Sequence, residues 1–269
     1  MGKSNSSGQK LKAMFSAIVI PAAIIVAILI YILVLGDGSN FQGGNHNNAP
    51  LPGNYLGTVY KGGFIVPILM SFLLIVITFC IERAITISKA SGKGSVVTLV
   101  KNVKDLLAQN NIEQAQAICD KQKGSVANVI KSALIKYKDV EKDENMVKEQ
   151  KLAAIQKDIE ESTSLELPSL EQNLVVLATL ASVSTLMGLL GTVLGMIRAF
   201  SALANAGAPD SLALATGISE ALINTAFGIG TSALSIIFYN VFTTKIDKLT
   251  YSIDEAGFSI VQTYAAMHK

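Results

Sequence analysis

GLLGTVLGMIRAFSALANAGAPDSLALATGISEALINTAFGIGTSALSIIFYNVF, residues 188–242, is the stretch that decides the fold. It holds most of two apolar runs, about 174–204 and 212–244, separated by NAGAPDS. Each run carries a single charge, Arg198 in the first and Glu220 in the second. Each exceeds the roughly 20 apolar residues that a helix needs to cross a bilayer. Gly and Pro together between them mark a turn, so the pair reads as an antiparallel hairpin of membrane-spanning helices. At 1.5 Å per residue the runs reach about 45–50 Å against a hydrocarbon core of about 30 Å, and both are expected to project beyond it.

Two more uncharged runs, 14–35 and 63–81, lie upstream. Pro21 sits near the start of the first, where a kink is tolerated. That run is longer than the 7–15 residue core of a signal peptide, and no small-x-small site precedes Asp37, so an uncleaved anchor helix is expected. Half of the 269 residues are hydrophobic and 16% are charged, well below the roughly 25% of a soluble domain. The expected fold class is an all-α membrane protein with four transmembrane helices and a helical cytoplasmic domain.

The lysines and arginines orient the chain. Segments 1–13, 82–172 and 245–269 hold 20 of the 22 Lys and Arg residues, leaving only Lys61 and Arg198. Four spans put these three segments on one side, which the positive-inside rule makes cytoplasmic. The expected organisation is a cytoplasmic tail 1–13, spans 14–35 and 63–81 around a periplasmic loop 36–62, a cytoplasmic helical domain 82–172, spans 173–204 and 212–244 around a periplasmic turn 205–211, and a cytoplasmic helical tail 245–269. Within 82–172, SVVTLVKNVKDLLAQNNIEQAQAICDK has helical apolar spacing. Pro168 is expected in the first turn of the third span's helix. Phe242, Ile246, Leu249, Ile253, Ile260 and Tyr264 continue the fourth run at near-heptad spacing, as in a packed bundle.

Several function classes are excluded. No basic block is dense enough for nucleic acid. Cys80 and Cys119 form no C-x-x-C pair, and neither a disulfide nor a metal site is expected. No nucleophile–base pairing, zincin motif or phosphate loop is present, and GIGTSA (228–233) lies inside an apolar run. His46 and His268, in a loop and a tail, are expected to be solvated. The chain therefore reads as no enzyme and calls for no cofactor.

Chemistry concentrates on one face of the hairpin. On a helical wheel Thr185, Gly188, Thr192, Gly195 and Ala199 share an arc, with Ser184 and Gly191 at its edge. On the fourth run Gly217, Glu220, Ala221, Asn224, Thr225, Gly228, Thr231, Ser232 and Ser235 do the same. Small residues line helix–helix contacts in lipid, and Gly188, Gly191, Gly195 and Gly228 read as packing positions. A carboxylate within a span is costly unless paired or wetted, so Glu220, with Asn224, is a functional candidate. A turn near Ala208 sets Thr192 level with Thr225 and Arg198 level with Glu220. Arg198 either pairs with Glu220, within or between subunits, or snorkels to the outer headgroups.

GLLGTVLGMIRAF (188–200) followed by GISEALINTAFGIGTSALSIIFYNVF (217–242) resembles the paired signature of the MotA/TolQ/ExbB proton-channel family, its ExbB branch above all. Glu82-Arg83 resembles the family at the end of the second span, residues 84–165 do so weakly, and the first span has no counterpart. The resemblance implies a homopentameric ring in the inner membrane, two copies of an ExbD-like single-span partner in its pore, and a TonB-like protein receiving the output. It also implies that Thr192 and Thr225 line the pore and that Glu220 is the acid of the last span, while Arg198, a candidate charge at the outer mouth, departs from a branch that often has an uncharged polar residue there. A TolQ-like or motility role is the alternative within the family. A secondary transporter would show internal repeats and broken helices, and a passive scaffold would leave Glu220 and Asn224 without purpose.

Overall fold

A computed structural model describes residues 4–205 and 211–268. The expected turn at 205–211 falls almost wholly outside the described residues, as do the ends of both tails. Among the described residues there are nine α-helices and no strand: α1 (Ser4–Ile30), α2 (Tyr55–Tyr60), α3 (Ile65–Ser91), α4 (Val96–Ala108), α5 (Ile112–Gln122), α6 (Ser125–Lys142), α7 (Lys148–Glu171), α8 (Leu174–Asn205) and α9 (Ser211–Met267). Four helical stretches are long and apolar enough to cross a membrane, and the chain is an all-α membrane protein. It divides into two compact units, Met1–Ile81 with Val175–Tyr239, and Glu82–Leu174 with Asn240–Lys269.

The first unit is built on α8 against α9. A Cβ on Gly188 would stand 2.9 Å from the Asn224 carbonyl oxygen and 3.1 Å from Gly228 Cα. On Gly195 it would meet the Gly217 carbonyl oxygen at 2.8 Å, and on Gly228 the Ser184 carbonyl oxygen at 2.6 Å. The two backbones thus touch directly, which maximises dispersion contact where lipid offers no hydrophobic drive. Ser235 donates to the Leu177 carbonyl at 2.7 Å and Ser232 to that of Ala181, tying the helices further along. Leu186, Leu189, Val193 and Ile197 on α8 and Leu222, Ile229 and Ile237 on α9 are exposed.

Upstream, α1 runs through Pro21 and ends in a π-helical turn, Tyr31–Leu35. The 36–62 segment is a loop with internal order. Buried Asn40 donates to the Val34 carbonyl at 2.8 Å, satisfying the end of that turn. Asn54 caps α2, and Tyr31 stacks on Tyr60 with ring centroids 4.6 Å apart.

The second unit is a helical bundle. Leu99, Val100, Val103 and Leu107 of α4 are buried, as the helical spacing predicts. So are Phe242, Ile246, Leu249, Ile253, Ile260 and Tyr264 of α9. Burial of Cys119 pushes its thiol up to about 12, which makes it inert, and both cysteines are buried and free.

Two expectations are corrected here. Pro168 does not open the third span's helix; it lies within α7, and α8 begins only at Leu174. The break falls at Gln172–Asn173, where Asn173 takes a positive φ of 67°. The reason is Arg83, fully buried, whose Nη1 donates to the Leu170 carbonyl at 3.0 Å and so caps the end of α7. Its neighbour Glu82 accepts from Arg83 Nε at 2.6 Å, Thr86 at 2.9 Å and Asn173 at 3.3 Å. Burial alone would raise the Glu82 carboxyl, but these donors hold it below the usual range. His268 is the second correction. Its ring stacks on Tyr264 at 4.3 Å and its Nε2 lies 3.2 Å from Glu141 Oε1, because the edge-to-face pair Tyr137–Tyr264 brings α6 beside the end of α9.

The α8–α9 contact makes a paired prediction. Gly228→Ala should lower the circular-dichroism melting temperature in detergent, by about 1–3 kcal/mol of overpacking. Gly230→Ala, whose Cβ would meet nothing within 4 Å, should not lower it. Equal effects would contradict backbone contact at Gly228.

Candidate functional site

The polar side chains of the hairpin form a ladder between α8 and α9. At one level the Thr192 and Thr225 hydroxyls are hydrogen-bonded to each other. Thr225 also donates toward the Ala221 carbonyl at 3.0 Å, and Thr192 lies 3.2 Å from the Gly188 carbonyl oxygen. Both hydroxyls belong to half-buried residues. Helical periodicity explains their meeting, since each sits one turn from a glycine that lets the backbones close.

One residue on, Asn224 is fully buried against Gly191, where a Cβ would stand only 2.5 Å from Asn224 Cβ. Its amide donates to the Gly62 carbonyl at 2.9 Å. Its Oδ1 has no hydrogen-bond partner among the described residues.

One turn further, Arg198 Nη1 pairs with Glu220 Oε1. The carboxylate side chain is 7% exposed and the guanidinium side chain 48%, so the acid is enclosed while the base faces outward. Gly63, with φ +78°, passes against this pair: a Cβ there would press on the carboxylate and lie 3.1 Å from Arg198 Nη1. Phe64 completes the enclosure, its ring centroid 5.6 Å from the guanidinium.

The structure therefore brings together Thr192 with Thr225 and Arg198 with Glu220, and seats Asn224 beside them. Gly188, Gly191, Gly195 and Gly228 all lie in the helix contact. The residues that sequence reasoning missed are Gly62, Gly63 and Phe64, the turn that leads into α3. The signal was the Gly-Gly pair before an apolar run, since adjacent glycines permit close approach as well as turning. Among the described residues no group of three His, Cys, Asp or Glu side chains converges as a metal would require. Chemically the ladder offers hydroxyls, an amide and a neutralised ion pair. It can pass hydrogen bonds and protons through water, but it holds no group at the threonine level that carries a proton charge.

Removing one partner of an enclosed ion pair strands the other. Arg198→Gln should lower the melting temperature by the equivalent of about 1–3 kcal/mol. The double variant Arg198→Gln with Glu220→Gln should recover most of that loss. Additive losses would show that the two side chains are not coupled.

The profile of the MotA/TolQ/ExbB proton channel family matches residues 121–255. Biopolymer transport protein ExbB-like 3 of Synechocystis sp. is 35% identical over 112 residues, 41% of this chain and 53% of the relative. The Tol-Pal system protein TolQ of Haemophilus influenzae is 40% identical over 84 residues, 31% of this chain and 37% of the relative. Biopolymer transport protein ExbB of Pseudomonas putida is 33% identical over 86 residues, 32% of this chain and 26% of the relative. The matches thus span about half, or less, of the length of these curated relatives. With the family profile covering half its length, this chain belongs to the MotA/TolQ/ExbB proton channel family.

Proposed function

We propose that this chain is the ExbB-like subunit of a motor that uses the proton motive force to energise TonB-dependent outer-membrane transport. In this reading it lies in a bacterial inner membrane with 1–13, 82–172 and 245–269 in the cytoplasm, where the positive-inside rule puts their lysines. Five copies form a ring. Their α8 and α9 helices surround a pore that encloses two single-span ExbD-like helices, and a TonB-like protein takes up the motion.

The observation that carries the reading is the Thr192–Thr225 hydroxyl pair, set between α8 and α9 and hydrogen-bonded, among the described residues, only to each other and to main-chain carbonyls. A threonine hydroxyl donates and accepts hydrogen bonds but does not titrate near neutral pH. The titrating carboxyl therefore comes from the partner's span. When that carboxyl is protonated it donates to a threonine oxygen. When it is ionised it needs donors, and here the two hydroxyl protons are contested by main-chain carbonyls and by each other. The pair favours the neutral acid, so gain and loss of the proton change which seat the partner prefers, and repeated steps drive motion. One charge crossing 100 mV supplies about 2.3 kcal/mol. Asn224 supports the same polar stripe, and Glu220 with Arg198 sets the charge of the outer mouth.

A TolQ-like role is the second reading, favoured by the higher identity to TolQ than to ExbB over similar lengths. The two separate by phenotype: the first rescues TonB-dependent uptake in a deletion strain, the second rescues envelope integrity.

The test is isosteric. Thr225→Val and Thr192→Val keep the shape and remove the hydroxyl, and each should cut uptake in the complemented strain by about fivefold, the worth of a hydrogen bond of about 1 kcal/mol to a neutral acid. Thr225→Ser should retain most activity. Full activity of both valine variants would contradict the proposal.

A further inference from the structure

At the far end of α3 from the hairpin's ion pair, the chain turns sharply into α4. An open groove of about 610 Å³ lies there, lined by Ala84, Ile85, Ser88, Lys89, Lys93 and Lys123. One wall is apolar, with Ile85 51% exposed. The other carries three exposed lysines. Among the described residues none of these ammonium groups is in an ion pair. Three lysines lining one groove give it a positive charge that favours an anion.

One of the three lysines stands on strained backbone. Lys123 has φ +58° and ψ −180°, a conformation that glycine alone adopts without strain. It is held there from outside: the Lys93 amide donates to the Gln122 carbonyl at 2.8 Å, and the Gln122 side chain donates to the Ser91 and Gly94 carbonyls at 2.9 and 3.0 Å. Glycine at 123 would relieve the strain. Lysine instead adds a third basic side chain to the groove's lining.

Position names the anion. The uncharged run 63–81 ends at Glu82, and α3 continues without a break to Ser91. Ile85 and Ser88 therefore follow the end of the run by about 6 and 10 Å along the helix. That is the depth of the phospholipid headgroups and their outer edge, and lysine stems reach back from further out. An exposed isoleucine beside three unpaired ammonium groups matches a molecule with a phosphate and an acyl chain.

We propose that this groove binds the headgroup of an anionic phospholipid in the leaflet facing 82–172, with Lys89, Lys93 and Lys123 on the phosphate and Ile85 against the first acyl carbons. The proposal rests on α3 crossing the membrane and is independent of the motor reading.

Native mass spectrometry of the full chain in a non-ionic detergent tests it, titrating phosphatidylglycerol against phosphatidylcholine of the same acyl chains. The wild type should prefer phosphatidylglycerol, and each lysine removed should weaken that lipid about fivefold. The triple variant K89Q/K93Q/K123Q should bind both lipids alike. K123G should weaken phosphatidylglycerol while melting at or above the wild-type temperature, which separates loss of the site from loss of the fold. K89Q, on an exposed helix face, repeats the measurement with no change of backbone. Equal binding of the two lipids by the wild type, or undiminished phosphatidylglycerol binding by the triple variant, would overturn the proposal. Displacement of the lipid by millimolar inorganic phosphate would overturn it in favour of a soluble ligand.

Discussion

Backbone contact between α8 and α9 is the constraint on which the rest of the hairpin depends. Gly188, Gly195, Gly217 and Gly228 leave no room for a Cβ at the crossing. In lipid there is no gain from hiding apolar surface from water, so such contact, with the serine hydroxyls that bond across it, is what holds two apolar helices in one register. Register then does the chemical work. With the glycines interlocked, Thr192 has Thr225 beside it, and Arg198 has Glu220.

A carboxylate in an apolar span must be neutralised, hydrated or paired. Glu220 is paired and walled in: Arg198 lies across it, the Gly63 backbone against it, and Phe64 over the guanidinium. The entry to α3 is thus a third side to a site that α8 and α9 begin. Asn224 makes the same link from below, through the Gly62 carbonyl. The entry to α3 therefore covers an ion pair that the last two helices form.

Much of this was legible in the residues. Apolar runs marked the four helical stretches able to cross a membrane, because hydropathy acts locally and needs no knowledge of partners. The hairpin ladder was legible too, since helical periodicity and a short turn fix which residues come level. The Gly62–Phe64 turn was not, because its place beside Glu220 depends on packing between segments 157 positions apart, from Gly63 to Glu220. Pro168 misled for a related reason. Proline is favoured at a helix start, yet here the end of α7 is decided by Arg83, a buried guanidinium from a distant helix that takes the last carbonyls. His268 likewise gained its stack on Tyr264 from the bundle that α9 enters, which no terminal sequence announces.

The proposed function turns on assembly. In the proposed motor, hydroxyls without an ionisable neighbour among the described residues make half of a proton path, and a partner chain brings the other half. Native mass spectrometry of the gently solubilised complex, expressed together with the products of neighbouring genes, measures that directly. Five copies of this chain with two copies of a small single-span protein is the predicted result. A monomer or dimer with no such companion would contradict the motor reading at its root.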